Sequence, residues 1–530
     1  MTHPSDEAGH RGQVATDDRS AEIEQRSAGE RAEGVPQGRR RRQWVGLGAG
    51  VALGLLVYLA IPGDAGHPAR LTAAVAVVMG VWWMTEAIPI PATALLPLVV
   101  FPTLGSDVSV DDVGASYGNN IIFLFMGGFL LALAMQRWNL HRRIALRTVS
   151  LMGTRPPMVV AGFMIATGFL SMWVSNTATA VMMLPIGVSV LALVATLSDD
   201  VEDPGEDGAA VRSSPFGTAL VLGIAYAASI GSLATIIGTP PNTLLVGYLE
   251  DAHDISIGFG QWMLAGLPLA VIFLTITWVL LTKVFFRPEI DDIPGGRELI
   301  RDELEALGPM SRGEIRVTVI FVLAALSWVF VPLVSDWLGA ESAPISDAGI
   351  AMVVGLLLFV LPAGAEPGVR LLDWESALEL PWGVLLLFGG GLALSGQFSS
   401  SGLTEWIGQQ AGGLGWIPTL LLVALVATAI LFLTEITSNT ATAATFLPVA
   451  GGIALGTGLD PMLLAVPVAL SATCAFMLPV ATPPNAVAYG SGYVTIGSMI
   501  KGGLWLNLIA IVLVTGFTYT LFTWFLGITI

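Results

Sequence analysis

The chain has 530 residues, of which 54% are hydrophobic and 12% are charged, and its formal net charge is −17. Apolar runs over most of its length indicate a polytopic membrane protein rather than a soluble enzyme. A single cysteine excludes an internal disulfide, five scattered histidines offer no metal-ligand spacing, and the negative charge gives no reason to expect nucleic-acid binding.

The first 43 residues differ in composition from the rest of the chain. They contain eight acidic and eight basic residues and no apolar period, which is typical of a disordered tail. Four arginines at 39–42 stand directly before an apolar run at 44–61 that is long enough to cross a membrane. By the positive-inside rule, this cluster predicts a cytoplasmic N-terminus.

The first half then alternates between apolar runs and short polar connections. A segment that includes His141 and Arg147 alternates polar and apolar positions at helical spacing, which predicts an amphipathic helix on the cytoplasmic surface. Two apolar arms around a polar tripeptide at 156–197 could form one long kinked passage or a re-entrant hairpin. The positive-inside rule favours the hairpin, because the lysines and arginines that follow then lie in the cytoplasm. Further spans are predicted at 71–90, 91–104, 121–138, 217–249 and 261–285.

The second half repeats this order. Spans are predicted at 317–334, 348–362, 381–396, 462–489 and 504–526, with a surface helix at 398–415 and a second hairpin at 419–453. The inferred outer connections at 105–120, 250–260, 336–347 and 398–415 contain no lysine or arginine, as the positive-inside rule asks. The sequence therefore predicts an all-α membrane protein with about eleven spans, two hairpins and an external C-terminus.

A matched set of motifs relates the two halves. Ser-Asn-Thr-Ala-Thr-Ala begins at Ser175 and again at Ser438, 263 positions later, and glycine pairs at 127–128 and 390–391 keep the same offset. Thr-Pro-Pro-Asn at 239–242 recurs at 482–485, 243 positions later, largely because the acidic stretch at 198–215 has no counterpart. Since the halves have opposite predicted orientations, the pattern predicts an inverted repeat whose motifs meet near the membrane midplane.

The repeated motifs interrupt helices at membrane depth. Proline pairs remove backbone donors, and a broken helix is tolerated inside a bilayer only where protein or a wet cavity covers it. Carbonyl, hydroxyl and amide oxygens suit a hard cation, and N–H groups at helix N-termini suit a carboxylate. One motif alone is equally well explained by hydrogen bonds between helices or by a kink, but a matched pair favours a binding site.

Ionisable residues near these motifs are few. No buried lysine or arginine is expected beside either tripeptide, so an anion needs neutral donors and a bound cation, which favours sodium coupling. Glu435 has Met172 at the matching place in the first half, and three interpretations stay open for it: a cation attractor, a proton carrier, or a structural carboxylate bonded to hydroxyls. Glu86 is expected at a span end as an interfacial cap.

These motifs resemble those of a known family. The paired Ser-Asn-Thr tripeptides and Thr-Pro-Pro-Asn loops, with Thr-Glu-Ala-Ile-Pro from Thr85 and Phe-Met-Gly-Gly-Phe-Leu-Leu-Ala-Leu-Ala from Phe125, are similar to the divalent anion:sodium symporter family of dicarboxylate and citrate carriers. The resemblance covers nearly everything after residue 43. It implies an elevator-type homodimer with a tail at 1–43, scaffold segments at 44–153 and 313–415, and transport segments at 154–312 and 416–530.

The resemblance also implies site residues at the matching motif positions. One sodium ion would be bound by Ser171, Ser175, Asn176 and the carbonyl of Gly238, and a second by Thr434, Thr437, Asn439 and the carbonyl of Ala481. Substrate carboxylates would meet Asn176, Thr177, Asn439 and Thr440, with Thr482 and Pro483 beside them.

The expected function is sodium-coupled import of succinate, malate or fumarate across the plasma membrane, with sodium as coupling ion, no organic cofactor and no enzymatic activity. The alternatives are a sodium-independent dicarboxylate exchanger and a citrate or sulfate carrier. A channel would need a continuous polar stripe, and an enzyme would need a nucleophile–base pair or a metal cluster. An ATP-driven pump would need a P-loop. The sequence shows none of these patterns.

Overall fold

A computed structural model describes residues 34–105, 108–198, 214–290, 292–293, 296–339 and 343–529. These residues form helices, and the extended pairing among them is limited to an isolated bridge between Pro362 and Arg370. The all-α prediction is therefore confirmed. Most of the predicted tail and of the acidic stretch, at 1–33 and 199–213, lies outside the described residues.

The helices that precede the first hairpin follow the predicted order. They are Gln37–Ala60, Gly66–Thr85, Ile90–Thr93, Leu96–Leu104, Val110–Ala115, Asn120–Arg137 and Leu140–Met152. The first helix begins seven positions before the apolar run, so the predicted end of the tail at residue 43 is wrong. Its early start has a physical reason, because Arg39 pairs with Glu86 at 3.4 Å and Arg42 donates to the carbonyl of Thr85 at 3.1 Å.

Both predicted hairpins and both interrupted spans are present. The first hairpin consists of Pro156–Ser171 and Asn176–Ser198, and the second of Thr419–Thr434 and Asn439–Gly456. The first broken span consists of Pro215–Gly231 and Pro240–His253, and the second of Pro461–Thr473 and Pro483–Gly490. Each broken span thus has an irregular loop before its proline pair, as the sequence predicts.

The remaining helices complete the membrane domain. They are Phe259–Val279, which continues as a π-helical turn to Phe285, then Gly296–Ala306, Arg312–Trp337, Asp347–Val360, Trp374–Ala377, Trp382–Ser400, Leu403–Ala411 and Ile496–Phe517, which continues to Leu526. Eight helices of the described residues are long and apolar enough to cross a membrane. The shorter segments Ile90–Leu104 and Asp347–Val360 and the second broken span bring the crossings to the predicted eleven.

The repeated glycine pairs let helices of opposite halves approach closely. A Cβ on Gly127 would lie 2.6 Å from the Cβ of Ala351, in the helix Asp347–Val360. A Cβ on Gly390 would collide with the carbonyl oxygen of Ala94. Each half therefore contributes a helix that packs backbone to backbone on the other half, which explains the glycines at 127 and 390.

The two broken spans pack against each other at the centre of the protein. Tyr226 of the first donates to the carbonyl of Phe476, in the loop of the second, at 2.9 Å. The hydroxyls of Thr239 and Thr473 lie 3.3 Å apart. All residues at 216–239 are buried, so the irregular backbone is covered by protein, as the membrane requires. This packing brings the two loops side by side.

The amphipathic helix Leu140–Met152 buries one of its arginines. Arg143 is 5% exposed and pairs with Glu314, which is 4% exposed, at 2.7 Å. Its guanidinium also donates to the carbonyls of Leu307 and Gly308, at 3.2 and 3.0 Å. Arg143 therefore fastens this helix to the start of the second half, whereas Arg147 on the same helix is exposed.

We expect Arg143→Ala to destabilise the protein by about 3 kcal/mol or more, because it leaves the Glu314 carboxylate buried without a partner. The measurement is the thermal unfolding midpoint of the purified protein in detergent. Arg147→Ala is the matched control and should leave the midpoint nearly unchanged. Equal midpoints for the two variants would contradict the role assigned to Arg143.

Candidate functional site

A cavity of about 700 Å³ lies where the two hairpin tips meet the two broken-span loops. Both tripeptides line it in full, as do residues on either side of each loop's threonine. The motif residues on its wall are Ser175, Asn176, Thr177, Gly238, Thr239, Pro240, Thr437, Ser438, Asn439, Thr440, Ala481, Thr482 and Pro483. The elements that are 263 or 243 positions apart in sequence thus form one site.

The serine of each tripeptide begins a helix. The hydroxyl of Ser175 accepts from the N–H of Ala178 at 3.3 Å, and that of Ser438 accepts from the N–H of Ala441 at 3.5 Å. This is N-capping, and it leaves the next residue, Asn176 or Asn439, as the first residue of the second hairpin arm. The repeated motif therefore has a local structural cause as well as a position in the site.

Four helix N-termini converge on the cavity. The second arms of the hairpins start at Asn176 and Asn439, and the second halves of the broken spans start at Pro240 and Pro483. All four residues line the cavity. All four helix starts carry partial positive charge, and the two hairpin arms also offer backbone N–H groups, which the proline pairs of the other two lack. This arrangement favours an anion without a full charge from the protein.

The residues predicted to contact substrate all lie on the cavity wall. They are Asn176, Thr177, Asn439, Thr440, Thr482 and Pro483. Within the described residues, the side chains of Asn176, Thr177 and Thr440 have no hydrogen-bond partner. Thr482 uses its hydroxyl oxygen to accept from the N–H of Asn485 at 3.2 Å. Several donors are thus available to a ligand.

The residues predicted to bind sodium divide into two groups. Ser175, Asn176, Gly238, Thr437, Asn439 and Ala481 line the cavity. Ser171 and Thr434 do not; both are fully buried behind it, at the ends of the first hairpin arms. Ser171 donates to the carbonyl of Ala228 at 2.6 Å. Thr434 donates to Asn439 at 2.8 Å and to the carbonyl of Ala472 at 3.0 Å, so each joins its hairpin to a broken span.

The two broken-span loops differ at one matching position, which is Gly238 in the first loop and Ala481 in the second. A Cβ on Gly238 would collide with the carbonyl oxygen of Ser232 and lie 2.9 Å from its Cα. The first loop therefore has no room for a side chain, whereas Ala481 is accommodated in the second. The substitution at 481 follows from different loop packing and leaves the main-chain carbonyl in place.

The asparagine of each Thr-Pro-Pro-Asn motif holds its own loop together. The amide of Asn242 donates to the carbonyl of Thr235 at 2.9 Å, and the amide of Asn485 donates to those of Ala475 and Leu478 at 3.1 Å. Both asparagines are fully buried. Sequence reasoning assigned them no role, although their recurrence at the shared offset is a signal that could have found them.

A basic residue also lines the cavity, which sequence reasoning missed. Arg42 donates to the carbonyls of Met84 and Thr85 at 3.1 Å and lies beside Glu86 on the cavity wall. The sequence indicated Arg42 only as an orientation signal. Glu86 ends the helix Gly66–Thr85 in a left-handed conformation and pairs with exposed Arg39, which agrees with the interfacial cap predicted for it.

Glu435 lies behind the cavity and clamps the second loop. Its carboxylate, 4% exposed, accepts from the backbone N–H groups of Phe476, Met477 and Leu478 at 2.8, 3.0 and 3.1 Å. The amide of Asn507 donates to it at 2.6 Å. These contacts favour the structural interpretation, with amides rather than hydroxyls as partners. At the matching place, the carbonyl of Met172 accepts from Thr235 at 2.5 Å.

Comparisons with known proteins place the chain among transporters. A family model described as the sodium:sulfate symporter transmembrane region matches residues 41–528. A sodium-dependent dicarboxylate transporter SdcS of Staphylococcus saprophyticus is 43% identical over 92% of both chains. The SdcS of Staphylococcus aureus strain bovine RF122 is 44% identical over 92% of this chain and 93% of its own.

A solved structure supports the fold. The Alcanivorax borkumensis YdaH transporter aligns with a TM-score of 0.54 and 16% identity, and the alignment covers 87% of this chain and 98% of that one. This likeness concerns the arrangement of helices alone.

We expect Glu435→Gln to lower the thermal unfolding midpoint. Each of the two carboxylate oxygens accepts a hydrogen bond from a backbone N–H group. Replacing one oxygen by an NH₂ group therefore leaves at least one buried donor unpaired, at a cost of about 1–3 kcal/mol. Glu405→Gln removes the same charge from an exposed position and is the control. A variant that unfolds like the parent protein but loses a pH dependence of uptake would instead identify Glu435 as a proton carrier.

Proposed function

This chain belongs to the sodium:sulfate symporter transmembrane family, and on that premise we propose that it imports C4-dicarboxylates such as succinate, malate and fumarate together with sodium. The observation that carries the proposal is the single cavity in which both tripeptides and both broken-span loops meet. A volume of about 700 Å³ lies within the range of small-molecule sites. The two relatives named as sodium-dependent dicarboxylate transporters support this substrate class.

The dicarboxylate is bound by neutral donors. One carboxylate meets Asn176 and Thr177 at the first hairpin tip, and the other meets Asn439 and Thr440 at the second. Thr482 and Pro483 lie beside them at the second loop. The pairing is attractive because a molecule with two like ends suits a site built from two like halves, each with a helix N-terminus directed at it.

Sodium offsets the charge of the substrate. A dicarboxylate brings about two negative charges into a site whose wall carries one cation, Arg42, and one acid, Glu86, and an uncompensated buried charge is strongly unfavourable. We assign one sodium ion to Ser171, Ser175, Asn176 and the carbonyl of Gly238. A second belongs with Thr434, Thr437, Asn439 and the carbonyl of Ala481. Oxygen ligands of this kind suit a hard monovalent cation.

We assign elevator motion and a homodimer to the protein. The scaffold comprises residues 44–153 and 313–415, and the transport part comprises 154–312 and 416–530. Where the two parts meet, Trp173 of the first hairpin stacks near Trp328 of Arg312–Trp337, with ring centroids 6.3 Å apart, and contacts Phe321 at 4.9 Å. Aromatic contacts are less directional than hydrogen bonds, so they suit a surface along which one part slides.

The test is uptake of labelled succinate by proteoliposomes that contain the purified protein. An inward sodium gradient should drive net uptake, and replacing sodium by choline at constant pH should suppress it. Uptake that follows a pH gradient regardless of sodium would overturn the sodium assignment. Uptake that requires internal dicarboxylate would identify an exchanger, and competition by citrate or sulfate stronger than by malate would change the substrate class.

In the same assay, we expect Asn176→Ala and Asn439→Ala each to abolish uptake, because each removes an amide from one end of the proposed site. Gln410 is exposed and does not line the cavity, so Gln410→Ala is the control substitution and should keep full activity. All three variants should elute as folded protein in size-exclusion chromatography. Near-normal uptake by either asparagine variant would show that the paired motif serves structure alone.

The proposed orientation places the N-terminus in the cytoplasm and the C-terminus outside. Arg147 on Leu140–Met152 and Gln410 on Leu403–Ala411 are exposed and lie on corresponding surface helices of the two halves. In a Cys474→Ser background, Arg147→Cys should react with an impermeant thiol reagent only from the cytoplasmic side, and Gln410→Cys only from outside. Labelling of both from one side would contradict the inverted topology.

A further inference from the structure

Two adjoining cavities lie between the first arm of the first hairpin and the span Phe259–Phe285, away from the central site. One, of about 810 Å³, is lined by Arg155, Lys283 and Arg287. The other, of about 460 Å³, is an apolar groove that extends along both helices as far as Met172. Met158 and Trp278 line both cavities, so the basic pocket opens directly into the groove.

The basic pocket carries unpaired positive charge. Arg155, Lys283 and Arg287 are exposed, and no carboxylate among the described residues forms an ion pair with any of them. Arg287 donates to the carbonyl of Lys283 at 2.6 Å, which holds its guanidinium beside that lysine. By contrast, Arg142 and Arg143 are neutralised by glutamates. Three cations in one pocket favour a phosphate group as ligand.

The groove has the form needed for a hydrocarbon chain. Its floor includes small residues, Gly168 and Ala270, while Ile165, Phe169 and Val271 rise exposed along its edges. The indole of Trp278 donates to the carbonyl of Pro157 at 2.7 Å and so fixes the boundary between pocket and groove. At about 1.5 Å per residue, the helix from Met158 to Met172 covers about 21 Å, which exceeds the roughly 15 Å of one bilayer leaflet.

We propose that the pocket and groove form one binding site for an anionic phospholipid. Its phosphate is bound by Arg155, Lys283 and Arg287, and one acyl chain lies in the groove. A free phosphate would use the pocket but leave the groove without an occupant, so the continuity of the two cavities favours a lipid. The groove ends at Met172, three positions before Ser175, and the bound chain therefore contacts the hairpin that carries the first tripeptide.

The experiment measures lipid binding to the purified full-length protein by native mass spectrometry. Dioleoyl phosphatidylglycerol should bind more tightly than dioleoyl phosphatidylcholine by about tenfold or more, since the three basic side chains attract a headgroup with net negative charge more strongly than a zwitterionic one. The combined variant Arg155→Gln/Lys283→Gln/Arg287→Gln should lose that difference. The control Arg40→Gln/Arg41→Gln/Arg147→Gln removes three exposed cations outside the pocket and should keep it.

A second variant tests the groove without changing charge. Ala161 lines the groove, and Ala161→Trp should fill it and weaken phosphatidylglycerol binding by about tenfold. Inorganic phosphate at the same concentration should not displace the lipid. The proposal is overturned by equal affinity for the two lipids, by equal losses in the two triple variants, or by displacement with phosphate. If the triple pocket variant fails to fold, unchanged phosphatidylglycerol binding by Ala161→Trp is sufficient by itself to overturn the proposal.

Discussion

The structure depends on one constraint: backbone that leaves the helix inside a membrane must find all its hydrogen-bond partners within the protein. Two spans are broken, and their loops lie at the centre, where residues 216–239 are buried throughout. Asn242 and Asn485 bond to the carbonyls of their own loops, and Tyr226 reaches across to Phe476. The hairpin ends contribute further bonds from Ser171 and Thr434. A site with free N-termini exists because these bonds satisfy the rest of the backbone.

The two halves solve this problem in different ways. In the second half, the Glu435 carboxylate takes three consecutive backbone N–H groups and the amide of Asn507. In the first half, Met172 stands at the matching place and contributes its main-chain carbonyl to Thr235. The second loop is therefore fixed by a carboxylate. The first is fixed by the neutral hydrogen bond between Thr235 and Met172 and by close packing at Gly238. The repeat is symmetric in its motifs and asymmetric in the charge behind them.

The electrostatics of the cavity follow from that arrangement. Glu435 lies behind the loop of the second broken span, and its carboxylate accepts hydrogen bonds from backbone N–H groups. It therefore does not line the space that an anion would occupy. Helix N-termini and amide side chains face the cavity, and Arg42 and Glu86 lie together at its wall. Partial charges of this kind bind an anion without the cost of burying a full unpaired charge, and they leave a need for a mobile cation.

Much of this could be predicted from the sequence, for local reasons. Proline pairs break helices, a serine before an apolar run caps one, and lysine and arginine mark one side of a membrane, so the spans, the hairpins and the inverted repeat follow from short segments. The shared offsets also indicated that the motifs meet. The tripeptide residues that line the cavity were identified for the same reason.

The remainder was decided by tertiary structure, because it depends on partners far away in the chain. Asn507 is 72 positions from Glu435, and Glu314 is 171 positions from Arg143. From the sequence, Arg42 is one of four arginines that indicate the orientation of the chain. It lies in the site only because the first helix begins at Gln37 and packs on Gly66–Thr85. A side chain's local sequence sets which bonds it is able to make. The packing of distant helices decides which of them it makes, since a buried group must pair with whatever the fold places beside it.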